Sequence, residues 1–127
     1  MPLVRIDVPQ GKSAEYRRTI SDVIYDTTIN VLNVPKDNRF HVISEHASTH
    51  LLMDPTYYGI HRSEDAIIIQ VTLNEGRATL ELKKVYYKAL ADGLHERLGL
   101  RRENVFINLV EVKKENWSLG NGEAQYA

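Results

Sequence analysis

The chain repeats itself, and the repeat limits what it can fold into. Laid on the first half at a constant offset, the second half places Thr79 on Ser13, Leu82 on Tyr16, Tyr86 on Ile20, Ala89 on Val23, Leu90 on Ile24 and Leu98 on Leu32. The match continues past the helical stretch, with Glu103-Asn104-Val105-Phe106 on Asp37-Asn38-Arg39-Phe40. A repeat of this length marks duplication of one supersecondary unit. Each copy reads strand, helix, strand. In the first, Leu3 to Val8 is a strand, and Pro9-Gln10-Gly11-Lys12 breaks it. Ser13 then caps a helix with Tyr16, Ile20, Val23, Ile24, Thr27, Val31 and Leu32 at helical spacing, and Pro35 ends it. Arg39 to Glu45 alternates as a second strand.

In the second copy, Asp65 to Leu73 is the most apolar run and predicts a strand buried on both faces. Asn74-Glu75-Gly76 turns the chain, and Thr79 caps a helix whose apolar positions are Leu82, Val85, Tyr86, Ala89, Leu90, Leu94 and Leu98. Gly99 stands where a helix-ending glycine belongs, and Asn104 to Val112 is the last strand. Residues 46–64 are polar and turn-rich, which predicts a long excursion holding a short strand. The expected fold is α/β (α+β). Duplicated β-α-β units at 2–46 and 66–112 form a four-stranded mixed sheet with two helices on one face, and a tail follows at 113–127. The whole chain, 1–127, is expected to be one domain. Helices on one face leave the other bare, and another subunit is its simplest cover.

Composition excludes several classes. With 16 basic against 17 acidic residues, the chain lacks the basic excess of a nucleic-acid binder. It has no cysteine, hence no disulfide frame and no thiolate chemistry. No stretch resembles a signal peptide or a membrane span, so a cytoplasmic protein with no membrane partner is expected. His46 and His50 have a spacing that binds zinc on a helix, but the segment does not read as helical and lacks an acidic third ligand. Gly120-Asn121-Gly122 does not follow a strand and open a helix, so it is no phosphate loop. No metal and no cofactor are expected.

The residue with unusual chemistry is Pro2. Removal of Met1 ahead of a small residue would make it a secondary amine at the head of a strand. An α-amino group titrates near ~8, and burial beside apolar groups or cations lowers that value into the range of a general base. Many chains begin Met-Pro without consequence, and a retained Met1 would lock the nitrogen in a peptide bond.

Beside this stand Pro2-Leu3, Val34-Pro35-Lys36-Asp37-Asn38-Arg39-Phe40, Ser44-Glu45-His46 and Arg62-Ser63. Gly76-Arg77 ahead of Glu81-Leu82-Lys83-Lys84, and the tail Asn116-Trp117-Ser118-Leu119-Gly120-Asn121-Gly122, complete the set. In this order the chain resembles the tautomerase superfamily along essentially its whole length. It is most similar to the malonate semialdehyde decarboxylase branch. The resemblance implies a β-α-β (MIF-like) fold, a small pocket centred on the proline, and homotrimers. Pro2, Arg77 and Asn38 are then the catalytic candidates, and Arg77, Asp37, Trp117, Leu119 and Tyr126 the substrate-binding ones. Arg77, at a βα turn beside a helix N-terminus, suits a substrate carboxylate; its other reading is a solvated loop arginine. Trp117, Leu119 and Tyr126 form an apolar wall over the pocket or else pack a subunit interface. Asn38 meets a substrate carbonyl or water, or merely caps its loop.

The characterised decarboxylases of the branch carry an aspartate where Asn38 stands. Here the acid is Asp37, one residue earlier, where extended backbone would point it the other way. An arginine expected two residues before Arg77 is replaced by Glu75. The activity implied is keto–enol tautomerisation of a small 2-keto acid without a cofactor. Decarboxylation or hydration of a three-carbon acid is the alternative within the class, and a non-catalytic oligomeric binding protein the alternative outside it.

Overall fold

The computed structural model describes residues 2–127; Met1, and with it the question of its removal, lies outside them. The elements run β1 (Leu3–Pro9), α1 (Ala14–Leu32), β2 (His41–His46), β3 (Ile67–Asn74), α2 (Leu80–Leu98) and β4 (Val105–Val112). Ser13 Oγ accepts the Tyr16 N–H at 3.0 Å, and Thr79 Oγ1 accepts the Leu82 N–H at 3.2 Å, so the repeated hydroxyl opens both helices. α2 ends on Gly99, left-handed at φ 67°, whose N–H returns to His95 O.

The strands form one sheet in the order β2-β1-β3-β4. β1 and β2 are parallel, as are β3 and β4, and β1 pairs antiparallel with β3. The sheet is therefore mixed, with one β-α-β unit on each side of the antiparallel seam. Alternate residues of the central strands, Val4, Ile6 and Val8 with Ile67, Ile69, Val71 and Leu73, are buried. They form a single core with Ile20, Val23 and Ile24 of α1 and Tyr86, Leu90 and Leu94 of α2. Each such aliphatic side chain contributes roughly 1.5–3 kcal/mol by leaving water. The intervening positions Arg5 and Gln70 are exposed, and Leu3, Ile68 and Thr72 are half-exposed. Both helices cover the same face.

Several expectations change in detail. β3 is buried on one face rather than two, because the protomer has nothing to lay on the other. β2 begins at His41; Arg39 and Phe40 precede it. The excursion contains a single 3-10 turn at Tyr57–Gly59 and no strand. Arg62 gathers it from inside, its Nη1 donating to the Tyr57 and Ile60 carbonyls. In α1, Thr28 rather than Thr27 is buried, its hydroxyl donating to Ile24 O. That leaves the Tyr86 O–H to donate to Thr28 Oγ1 across the helix pair, at 2.7 Å. Val85 is 54% exposed, since α2 buries its Tyr86–Leu90–Leu94 stripe, with Leu82, Tyr87 and Leu98 packed at its flanks, and Val85 lies outside it.

The helices approach closely at Gly93. A Cβ there would sit 2.9 Å from Val23 Cγ1, and Val23 is buried with little room to yield. Gly93→Ala should therefore lose stability despite a helix-propensity gain of about 1 kcal/mol. An overpacking cost of about 1–3 kcal/mol outweighs that gain. Urea unfolding decides the matter, and a more stable alanine variant would show that Val23 gives way.

Candidate active site

Strand directions bring one end of every element together. The start of β1, the start of β2, the end of β3 and the end of β4 lie at the same edge of the sheet. α1 ends there and α2 begins there. Pro2 is buried at this end, one residue ahead of the Leu3–Thr72 pair, and so lies beside Leu73. On its other side, Phe40 O accepts the Val4 N–H at 2.9 Å, which draws the Asn38-Arg39-Phe40 segment along β1.

The β3–α2 turn forms the adjoining wall. Glu75 N–H donates to Val112 O at 2.8 Å, and Arg77 N–H closes on Asn74 O at 3.4 Å. The Glu111 carboxylate, on β4, takes the Lys83 ammonium of α2 and the Gly76 N–H, which together hold its carboxyl below the ordinary range. Trp117 Nε1 donates to the side-chain oxygen of buried Asn74 at 2.7 Å, fastening the tail to the same turn. Arg77 itself is exposed, two residues ahead of the Thr79 cap.

Of the residues singled out from sequence, Pro2, Asn38, Arg77 and Trp117 thus come to one end of the sheet. Asn38 is half-buried there. Asp37 is exposed, with left-handed backbone at φ 59°. Leu119 and Tyr126 remain 41% and 37% exposed. Their tail is tied to itself: Leu119 N–H donates to Gln125 Oε1, and Gln125 Nε2 to Gly120 O. His46 lies in β2, bonded through Nε2 to Asp7 Oδ1 at 2.6 Å, while His50 is an exposed turn residue. A surface cavity of about 620 Å³, lined by Lys12, His46, Arg62 and Asp65 among others, opens at the opposite end of β1.

Two family models described as "Tautomerase enzyme" match the chain, one over residues 38–120 and one over residues 2–60. The chain belongs to the tautomerase family. It is 38% identical to Probable tautomerase YusQ of Bacillus subtilis (strain 168), over 98% of each chain. The structure of FG41 malonate semialdehyde decarboxylase inhibited by 3-bromopropiolate superposes with a TM-score of 0.90. It is 33% identical, over 98% of this chain and 93% of the other. A fused 4-OT symmetric trimer shares the fold at 20% identity and TM-score 0.78, over 98% and 97% of the two chains. The chain accordingly lies on the malonate semialdehyde decarboxylase-like branch of the tautomerases. Among the described residues no helix is long and apolar enough to cross a membrane.

The same end of the sheet also holds a polar cluster that sequence reading passed over. Arg39 Nη1 donates to Asp22 Oδ1 at 2.7 Å and to Ser21 Oγ at 3.2 Å, and its guanidinium lies 4.1 Å over the Tyr25 ring. Ser21 Oγ is 2.7 Å from His41 Nδ1. Ser21 can accept from Arg39 and donate to Nδ1 at once, an arrangement that places the imidazole proton on Nε2. Asp22 is held below the ordinary carboxylate range, chiefly by its hydrogen bond from Arg39. Burial, reinforced by the Arg39 charge, lowers His41 from 6.5 to about 4. Signals for this cluster existed only as scattered polar letters on the α1 stripe and an arginine before β2.

A depressed histidine makes stability pH-dependent in a defined window. Below pH 6.5 the unfolded chain binds a proton that folded His41 refuses, so stability falls steadily until about pH 4. His41 keeps some solvent access, and the screened loss between pH 6.5 and 5 should be about 1 kcal/mol. Urea midpoints across that window should flatten in His41→Gln, which still accepts from Ser21. An unchanged slope would assign the effect to another group.

Proposed function

We propose that this protein is a cofactor-free tautomerase in which the Pro2 amine is the general base and acid. It shuttles a proton between the enol oxygen and the neighbouring carbon of a small 2-keto acid. The observation that carries the reading is the burial of Pro2 beside the turn that bears Arg77. A free amine there would lie beside apolar Leu73 and near the positive end of α2, two conditions that favour its neutral form. The exposed Arg77 guanidinium is available to fork a carboxylate. Asn38 is proposed to donate a hydrogen bond to the substrate carbonyl, Asp37 to accept one from an enol hydroxyl or a water, and Trp117, Leu119 and Tyr126 to form an apolar wall. Asn38 carries no charge, so it does not stabilise the protonated amine as an aspartate would.

The likeness to FG41 malonate semialdehyde decarboxylase favours a second reading, decarboxylation of a three-carbon acid. A protonated amine suits that reaction, and Asn38 tells against it.

N-terminal mass measurement must first give the chain beginning at Pro2. Ketonisation of phenylenolpyruvate should then show a pH–rate profile rising below the reference value of ~8. Pro2→Ala, which leaves a weaker-placed primary amine, should reduce kcat/KM by ~10–100-fold with the fold intact. Arg77→Ala should impair carboxylate-bearing enols by roughly 2–4 kcal/mol and uncharged enols far less. A Pro2→Ala variant as fast as wild type removes Pro2 from the mechanism, and equal losses on both enols make Arg77 structural.

The assembly proposed is a homotrimer, which would cover the bare sheet face and its exposed Val42 and Phe106. The fused 4-OT trimers of the same fold support it. Light scattering at micromolar concentration should return three chains; a stable monomer would sink the assembly.

A further inference from the structure

We propose that Tyr25 is a positioning residue: it clamps the turn on both sides of Asn38 and thereby sets where the Asn38 amide stands relative to Pro2. The inference rests on the tautomerase reading above and extends it to a residue on α1 that lies outside the proposed catalytic and substrate-binding set.

Tyr25 makes two contacts one residue apart on either side of Asn38. Its phenol oxygen accepts the Asp37 N–H at 2.8 Å. Its ring face receives the Arg39 guanidinium at 4.1 Å. Asp37 is a non-glycine residue in left-handed backbone, a conformation that costs energy unless neighbours hold it, and the phenol bond holds it. Arg39 is secured a second time by Asp22, at 2.7 Å and one helical turn before Tyr25. A guanidinium lying on an aromatic face and bonded to a carboxylate has little freedom left.

Asn38 is therefore fixed from before and after by a single side chain of a regular helix. Among the described residues its own amide makes no hydrogen bond, so the backbone that Tyr25 holds, together with Asp22 and Ser21 on Arg39, sets where the amide is presented. Arg39, the residue after it, lies level with Pro2, because His41 pairs with Val4 and Phe40 O takes the Val4 N–H. Releasing the turn by a fraction of an ångström moves Asn38 relative to the amine, and misplacements of that size alter rates more than affinities.

Tyr25→Phe removes only the phenol oxygen and keeps the ring under Arg39. In phenylenolpyruvate ketonisation it should lower kcat by ~10-fold while KM stays within about 2-fold of wild type. A merely structural tyrosine would instead lower the melting temperature and leave kcat per folded chain unchanged, which overturns the proposal. The effect must also run through Asn38. In an Asn38→Ala background the Tyr25→Phe loss should vanish, and losses that multiply independently overturn it as well.

A measurement free of turnover separates this inference from the reading it rests on. In 1H–15N NMR spectra, Tyr25→Phe should shift the Asn38 side-chain amide pair and speed hydrogen exchange at the Asp37 N–H. If both stay in place the clamp does not exist, whatever the activity. If both move and Pro2→Ala is nevertheless as active as wild type, the clamp stands and the role of Pro2 falls.

Discussion

The antiparallel pairing of β1 with β3 is the junction on which the rest of the molecule depends. Each β-α-β unit alone is a two-stranded parallel ribbon with one helix, too little to bury an apolar face. Joined edge to edge in the Leu3–Thr72 register, the units pool Val4, Ile6 and Val8 with Ile67, Ile69 and Val71 under two helices. The same seam decides what meets at each end. Because β1 and β3 run oppositely, the head of the first unit lies beside the tail of the central strand of the second. Pro2 consequently neighbours the β3–α2 turn, which parallel pairing would have placed at the far end of the sheet.

That turn is held by three hydrogen bonds. β4 takes the Glu75 N–H through Val112 O and the Gly76 N–H through Glu111, while the tail reaches Asn74 through Trp117. Lys83 balances the Glu111 charge. Across the site, the α1–β2 loop is held in a comparable way by Tyr25, Asp22 and Ser21. Two loops of unrelated sequence thus stand rigidly around one buried residue, fastened by side chains on regular elements. Rigid elements position groups more accurately than free loops, which matters where proton transfer requires contact distances.

The face away from the helices has a different character. Arg5, Gln70 and Asn108 share it with Val42 and Phe106, and Gln70 Nε2 donates to Asn108 Oδ1 at 2.9 Å. Such a mixture suits a surface that meets a partner and must also tolerate water before it does. It also explains why the most apolar run of the chain is half-exposed in the protomer.

Repeat, strand order along the chain, helix caps and termini were legible in the amino-acid sequence, because they rest on local rules. Hydroxyls at Ser13 and Thr79 open helices, Gly99 closes one, and alternation or helical spacing marks the faces. Pro2, Asn38, Arg77 and Trp117 stood out by position or by resemblance. The tertiary structure alone decided the β1–β3 seam, which no local pattern encodes, since either strand could have paired at several edges with the same alternation. It alone decided that α2 faces inward on Tyr86, Leu90 and Leu94 while Val85 looks outward. It alone joined Tyr25, Asp22 and Arg39 across a loop. Contacts between residues distant in the chain depend on the summed packing of the whole core, and a sequence displays them only after the fold has chosen its partners.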